Sequence, residues 1–211
     1  MKGFLILAAA VATFGIACNT TADDILPLTV GNTWTNTGYV LRNSGIASLD
    51  TIQTMSIVST VMQQETLFSG ERVFPVLIAK SVHLFSPDSN FVVASYQYLR
   101  EVGGAVLMYD SLGDADPDTM LYQDLTVGRT WQGRNGYTTE VMGKGNLTVP
   151  AGVYDGAYRV KYIETTQSGS TYPLYVCFAT GVGEVMRDYE APLVPFGTKG
   201  FHTELTSVTI K

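Results

Sequence analysis

Asp114, Asp116 and Asp118 form an alternating acidic run in Asp114-Ala115-Asp116-Pro117-Asp118, flanked by Asp110 and Asp124. Carboxylates at alternate positions of a turn can converge on a hard cation such as calcium, which takes six to eight oxygens. These three are the metal candidates. The run lacks the glycine at the sixth position and the acidic residue at the twelfth that calcium loops use, so the alternative is a solvated hairpin tip. The two histidines, His83 and His202, lie in strand-like stretches, and no local sequence marks either as the base of a Ser-His-Asp arrangement. Cys177 lies in the apolar run Leu174–Ala179 with no adjacent base to lower its pKa, so it reads as a buried thiol. No G-x-S-x-G elbow and no H-E-x-x-H pair is present. The residues point to a non-enzymatic chain with no cofactor.

Cys18 carries chemistry of another kind. Lys2 precedes an apolar run from Phe4 to Ala12, and Gly15-Ile16-Ala17 leads into the cysteine. A short positive region, an apolar run and small residues make a secretory signal, too short to span a membrane. The cysteine after Gly-Ile-Ala resembles the lipobox of bacterial lipoproteins, with Gly15 where the usual pattern has leucine. That resemblance implies cleavage before Cys18 and a diacylglycerol on its sulfur. Acyl chains contribute roughly 0.8 kcal/mol per buried methylene, so the chain would be anchored to a membrane and not embedded in it. The expected divisions are a signal peptide at 1–17, a lipidated tether at 18–25, and two β halves at 26–122 and 123–211, which one continuous domain could join. The expected location is the bacterial cell envelope, at the outer membrane or cell surface.

The formal charge is −6, and loss of Lys2 with the signal makes it one unit more negative. Charged residues are 15% of the chain and form no basic stripe, which argues against a nucleic-acid partner. With Cys18 lipidated, Cys177 has no disulfide partner in the chain.

The elements that must position these residues are strands. No window keeps apolar residues at helical spacing, whereas Thr, Val, Ile, Tyr and Phe recur in runs such as 51–62, 73–85 and 91–102. Turn signals separate them, among them Ser69-Gly70, Gly103-Gly104, Arg134-Asn135-Gly136 and Ser168-Gly169-Ser170. This pattern predicts an all-β fold, an antiparallel β sandwich or an open half-barrel. Pro75 inside a strand run predicts an edge or a bulge there.

The chain also repeats itself. Leu28-Thr29-Val30-Gly31-Asn32-Thr33-Trp34 returns as Leu125-Thr126-Val127-Gly128-Arg129-Thr130-Trp131, with one residue of the seven changed. The two copies hold both tryptophans. An internal repeat of this kind predicts two related β halves. Each copy reads as a device that starts a strand: glycine for a backbone conformation closed to other residues, then tryptophan as an anchor. The alternative is a pair of sugar-stacking platforms. The difference between Asn32 and Arg129 is the first place to look for asymmetry between the halves.

Leu26-Pro27-Leu28-Thr29-Val30-Gly31-Asn32-Thr33-Trp34 resembles the PL-x-x-G-N-x-W opening of a broad set of secreted bacterial lipoproteins and surface proteins of unknown function. Val149-Pro150-Ala151-Gly152-Val153-Tyr154 is similar to the V-P-A-G-x-Y/F turn of that set, and Gly181-Val182-Gly183-Glu184-Val185 to its late G-V-G-x-V hairpin. The resemblance implies an antiparallel β architecture and an envelope location, with no catalytic residues to carry over.

Three functions are consistent with these readings. The first is a lipid-anchored envelope protein with a binding, scaffolding or assembly role, held at the membrane and meeting an envelope protein or ligand. The second is a carrier of an apolar ligand or lipid, which requires a pocket of roughly 300 Å³ or more. The third is a carbohydrate-binding surface protein, which requires exposed aromatic rings in a row.

Overall fold

Along Thr33–Asn43 (β1) the side chains alternate between two faces: Trp34 and Asn36 are buried, while Thr37 and Tyr39 are exposed. A period of two makes a pleated strand with one face on a core. The same logic builds β2 (Leu49–Val61), the two-residue β3 (Glu65–Thr66), β4 (Arg72–Phe85), β5 (Asp88–Val102), β6 (Ala105–Tyr109) and β7 (Asp118–Tyr122). The second half adds β8 (Thr130–Gln132), β9 (Thr138–Val149), β10 (Gly152–Thr165), β11 (Thr171–Ala179), β12 (Gly183–Glu190) and β13 (Gly197–Thr209). The computed structural model describes residues 24–43, 49–85, 87–133, 136–165, 171–190 and 197–211. The signal peptide, Cys18, Arg134-Asn135 and the Ser168–Ser170 turn lie outside the described residues. No helix occurs among the described residues, and every strand pairing is antiparallel.

All strands belong to one sheet in the order β7-β6-β5-β4-β2-β1-β13-β12-β11-β10-β9-β8, with β3 paired to β4. The all-β antiparallel expectation holds. Of the two architectures left open, the chain takes the barrel-like one and carries it almost to closure. Leaving β3 aside, each half is an up-and-down meander, and the halves join where β1, the first strand of one, pairs with β13, the last of the other. The symmetry-equivalent edges are β8 and β7. Among the described residues no backbone ladder joins them. Side chains close the gap: Trp131 Nε1 donates to Thr119 O (2.9 Å), and Tyr162 Oη donates to Met120 O (2.9 Å). The two halves also share one core cluster, to which both Trp34 and Trp131 belong.

The repeated heptad makes the same turn twice. Gly31 and Gly128 have φ of 87° and 86°. Gly31 N donates to Val61 O (2.8 Å) and Val61 N to Asn32 O (3.0 Å); Gly128 N donates to Val141 O (2.9 Å) and Val141 N to Arg129 O (2.9 Å). The left-handed glycine turns the chain so that the next residues dock as a strand beside β2 or β9.

One end of the barrel is plugged. Ile25, Leu26, Leu28 and Leu125 are buried there on the core. Ile25 was expected in the tether; its burial puts it in the folded body, because an apolar side chain beside an open barrel end gains more by filling it. Leu26 N donates to Gln123 Oε1 (2.9 Å), and Gln123 Nε2 returns a bond to Leu26 O (3.1 Å), joining positions 97 apart. The tip of the β9–β10 hairpin folds past β11 and β12 to reach β13, where Ala151 N donates to Leu205 O (3.0 Å). An irregularity between Tyr154 and Ala157, with Gly156 at φ 69°, bends the hairpin.

The other end is open. Phe91 and Val93 face inward by register yet remain 44% and 49% exposed, as does outward Val92 at 70%. At the wall between the halves, β1 and β13 meet closely. A Cβ on Gly38 would lie 1.9 Å from His202 O, so only glycine fits there.

Pro75 sits inside β4, paired to β5, but at an irregularity on the other flank: Val61 opposes Val76 and Glu65 opposes Val73, so the partner chain carries one extra residue there, as at a bulge. The ladder tolerates it because β2 ends at Val61 opposite Val76 and β3 resumes at Glu65 opposite Val73. The missing N–H faces the interval between them, while Pro75 O still accepts from Met62 N (2.8 Å).

Candidate functional site

The inward alternation of β1, β2, β4 and β5 leaves a lumen above the plug. Register sets its rungs: Trp34 opposite Ser59 and Ile78, then Asn36 opposite Ile57 and Lys80. A cavity of about 290 Å³ opens between these strands and Phe178, Phe201 and Thr203 of the second half. A second chamber of about 220 Å³ lies toward the β7–β8 gap, and Gln97, Met120, Phe178 and Arg187 border both. The wall is chiefly aliphatic and aromatic, with a few polar groups set in it. That combination characterises small-molecule sites.

The polar groups have distinct states. Arg187 Nε and Nη2 clasp the Glu184 carboxylate at 2.9 and 2.6 Å, a two-pronged charge-assisted pair. Burial first, then Glu184 and Asp118, push the Tyr162 hydroxyl far above its ordinary pKa. It therefore remains a donor and holds Met120 O. Asn36 is 7% exposed and lines the first cavity, and its Oδ1 is buried without a hydrogen-bond partner. An unpaired buried acceptor costs roughly 1–3 kcal/mol, which a ligand group could recover.

The acidic run does not assemble. Asp114 Oδ1 accepts from Asp116 N and Oδ2 from Asp110 N, both at 3.1 Å, so its carboxylate orders its own loop. Asp118 begins β7 and lines the second chamber beside Gly133. Alternate spacing would gather the three only if the run were a single turn; the onset of β7 at Asp118 turns its side chain inward. No group of three His, Cys, Asp or Glu side chains suited to a metal occurs among the described residues. Asp124 instead binds Arg129.

The two histidines occupy strands, His83 in β4 and His202 in β13. His83 Nδ1 lies 3.0 Å from Asn90 Oδ1. His202 stands on the outer face between Asp188, bonded to its Nδ1, and Glu204 Oε1, 3.2 Å from its Nε2. Burial pulls the His202 pKa down, but the two carboxylates outweigh it and the net shift is upward. Cys177 is buried, and burial pushes its thiol up to about 11, so it stays protonated at neutral pH.

Both tryptophans are buried, Trp34 at 5% and Trp131 at 7% exposure, with the indole N–H of Trp34 bonded to Val182 O. They anchor strands and offer no face to a sugar. The lumen residues Asn36, Lys80 and Gln97 escaped sequence reasoning because each is one polar residue in an ordinary strand. The only available signal was their parity: they fall in register with apolar neighbours that face the core.

No protein-family model and no curated protein matches the chain. Two solved structures are similar to it. One is described as an exported protein with a YmcC-like fold from Bacteroides fragilis NCTC 9343, at 13% identity and a TM-score of 0.49, covering 86% of this chain and 97% of that one. The other is described as a lipoprotein from Parabacteroides distasonis ATCC 8503, at 17% identity and a TM-score of 0.40, covering 88% and 98%.

Proposed function

We propose that this chain is a non-catalytic, lipid-anchored protein of the bacterial envelope whose barrel lumen holds one small molecule with an apolar body. The observation that carries the reading is the lumen cavity of about 290 Å³, near the ~300 Å³ at which ligand sites begin, with the unpartnered Asn36 oxygen in its wall. The lipobox-like Gly15-Ile16-Ala17-Cys18 supports the anchor. A wall built only for stability would close around such a void, since empty space forfeits dispersion contacts.

Fluorescence titration with the apolar dye N-phenylnaphthylamine tests this. The expected result is one saturable site per chain. Ser59→Phe, which places a ring in the cavity, should weaken binding at least tenfold, while Phe68→Ser, on the exposed surface, should leave it unchanged. Absence of saturable binding, or binding indifferent to Ser59→Phe, would refute the lumen as a site.

A further inference from the structure

The charges facing the lumen are unevenly distributed. Lys80, Asp118, Glu184 and Arg187 line the two chambers. Glu184 and Arg187 neutralise each other in their two-pronged pair. Asp118 borders the second chamber and not the first. Lys80 stands apart on β4, between Ile57 of β2 and Val93 of β5, and forms no ion pair among the described residues. The first chamber therefore carries one uncompensated positive charge. Partly removing an ammonium from water is costly unless an anion meets it.

Lys80 shares its rung with Asn36, whose Oδ1 is the buried side-chain atom of this wall left without a partner among the described residues. Asn36 faces Ile57 and Ile57 faces Lys80, so the two residues are two strands apart, about 10 Å between backbones. A lysine side chain spans much of that distance. The Asn36 amide can turn about its last bond to present N–H where its oxygen now lies. The rung lies toward the open mouth. Below it, toward the plug, the wall is Trp34, Ile78, Leu99, Leu26 and Phe178.

We propose that the lumen ligand is a singly charged amphiphile, an aliphatic chain ending in a carboxylate. The carboxylate sits against Lys80 Nζ and the Asn36 amide, and the chain runs down toward Leu26. This rests on the lumen-binding function proposed above and specifies its ligand. One carboxylate cancels the Lys80 charge, accepts from the Asn36 N–H once that amide has turned, and leaves the apolar floor to the chain. A cationic head would meet Lys80 with like charge.

Calorimetric titration of residues 24–211, which carry every core residue described, with dodecanoate, dodecanol and dodecyltrimethylammonium separates the possibilities. Dodecanoate should bind at least tenfold tighter than dodecanol, with the ammonium weakest. Lys80→Met should erase the preference for dodecanoate over dodecanol. Lys80→Gln gives the same comparison if Lys80→Met does not fold. Equal binding of dodecanoate and dodecanol by the parent, or a preference that survives loss of Lys80, overturns the carboxylate proposal while leaving lumen binding intact. No binding of any of the three overturns both.

Discussion

Asn32 and Arg129 perform one task with different side chains. Asn32 Nδ2 donates to Pro27 O (2.9 Å), and Arg129 Nη1 donates to Asp124 O (3.1 Å). In each copy the fifth residue of the repeat reaches back to the carbonyl just ahead of it and fixes the angle at which the strand begins. The asymmetry expected at this position is therefore one of surroundings. Asn32 is fully buried and also accepts from Lys211 N (2.9 Å), whereas Arg129 lies over the Tyr122 ring, 3.7 Å from its centroid. The repeat and its tryptophan anchors were legible because every residue of the turn is local. The pairing of Leu26 with Gln123 was not, since it depends on the two halves meeting. His202 yields a pH prediction. Asp188 and Glu204 raise its folded pKa above the ordinary 6.5 despite burial. Its contribution to stability is then full below the unfolded pKa and fades as pH rises through the folded one. His202→Gln should lower Tm relative to the parent at about pH 5.5, and the difference should shrink by about pH 9. A gap that widens with pH would contradict the assignment.

At the scale of elements, the strands were readable and the closure was not. The runs expected at 51–62, 73–85 and 91–102 became β2, β4 and β5 with ends shifted by a few residues, because alternation and turn chemistry are local signals. Pro75 marked an irregularity from its local sequence, but the interval that accommodates it, between β2 and β3, lies on another part of the chain. The β7–β8 gap follows from the length of the elements. β8 spans only Thr130–Gln132, too short to carry a full ladder. Trp131 bridges what the backbone does not, donating to Thr119 O and meeting Tyr122 edge-on at 5.5 Å. Trp131→Phe keeps most of the packing and removes the donor. It should cost ~1–3 kcal/mol through the unpaired carbonyl and speed hydrogen exchange in β7 more than in β1. Uniform exchange across the sheet would show that the indole does not hold the gap.

At the scale of the molecule, two meanders share one wall at β1–β13, one plug and one lumen. The plug draws on the repeat in part: each copy begins with a buried leucine, Leu28 or Leu125, while Ile25 and Leu26 precede the first copy. The lumen could not be foreseen, because strands supply inward side chains whose fit across the barrel depends on bulges and register. Those same irregularities leave the cavity between the halves. Methionine methyl NMR reads this cavity directly. Met55 and Met120 line the lumen, whereas Met62 and Met142 are exposed at 37% and 46%. On titration with dodecanoate, the Met55 and Met120 methyl resonances should shift together and saturate at one ligand per chain, with Met62 and Met142 unmoved. Shifts confined to Met62 or Met142, or none at Met55 and Met120, would contradict a ligand-binding lumen.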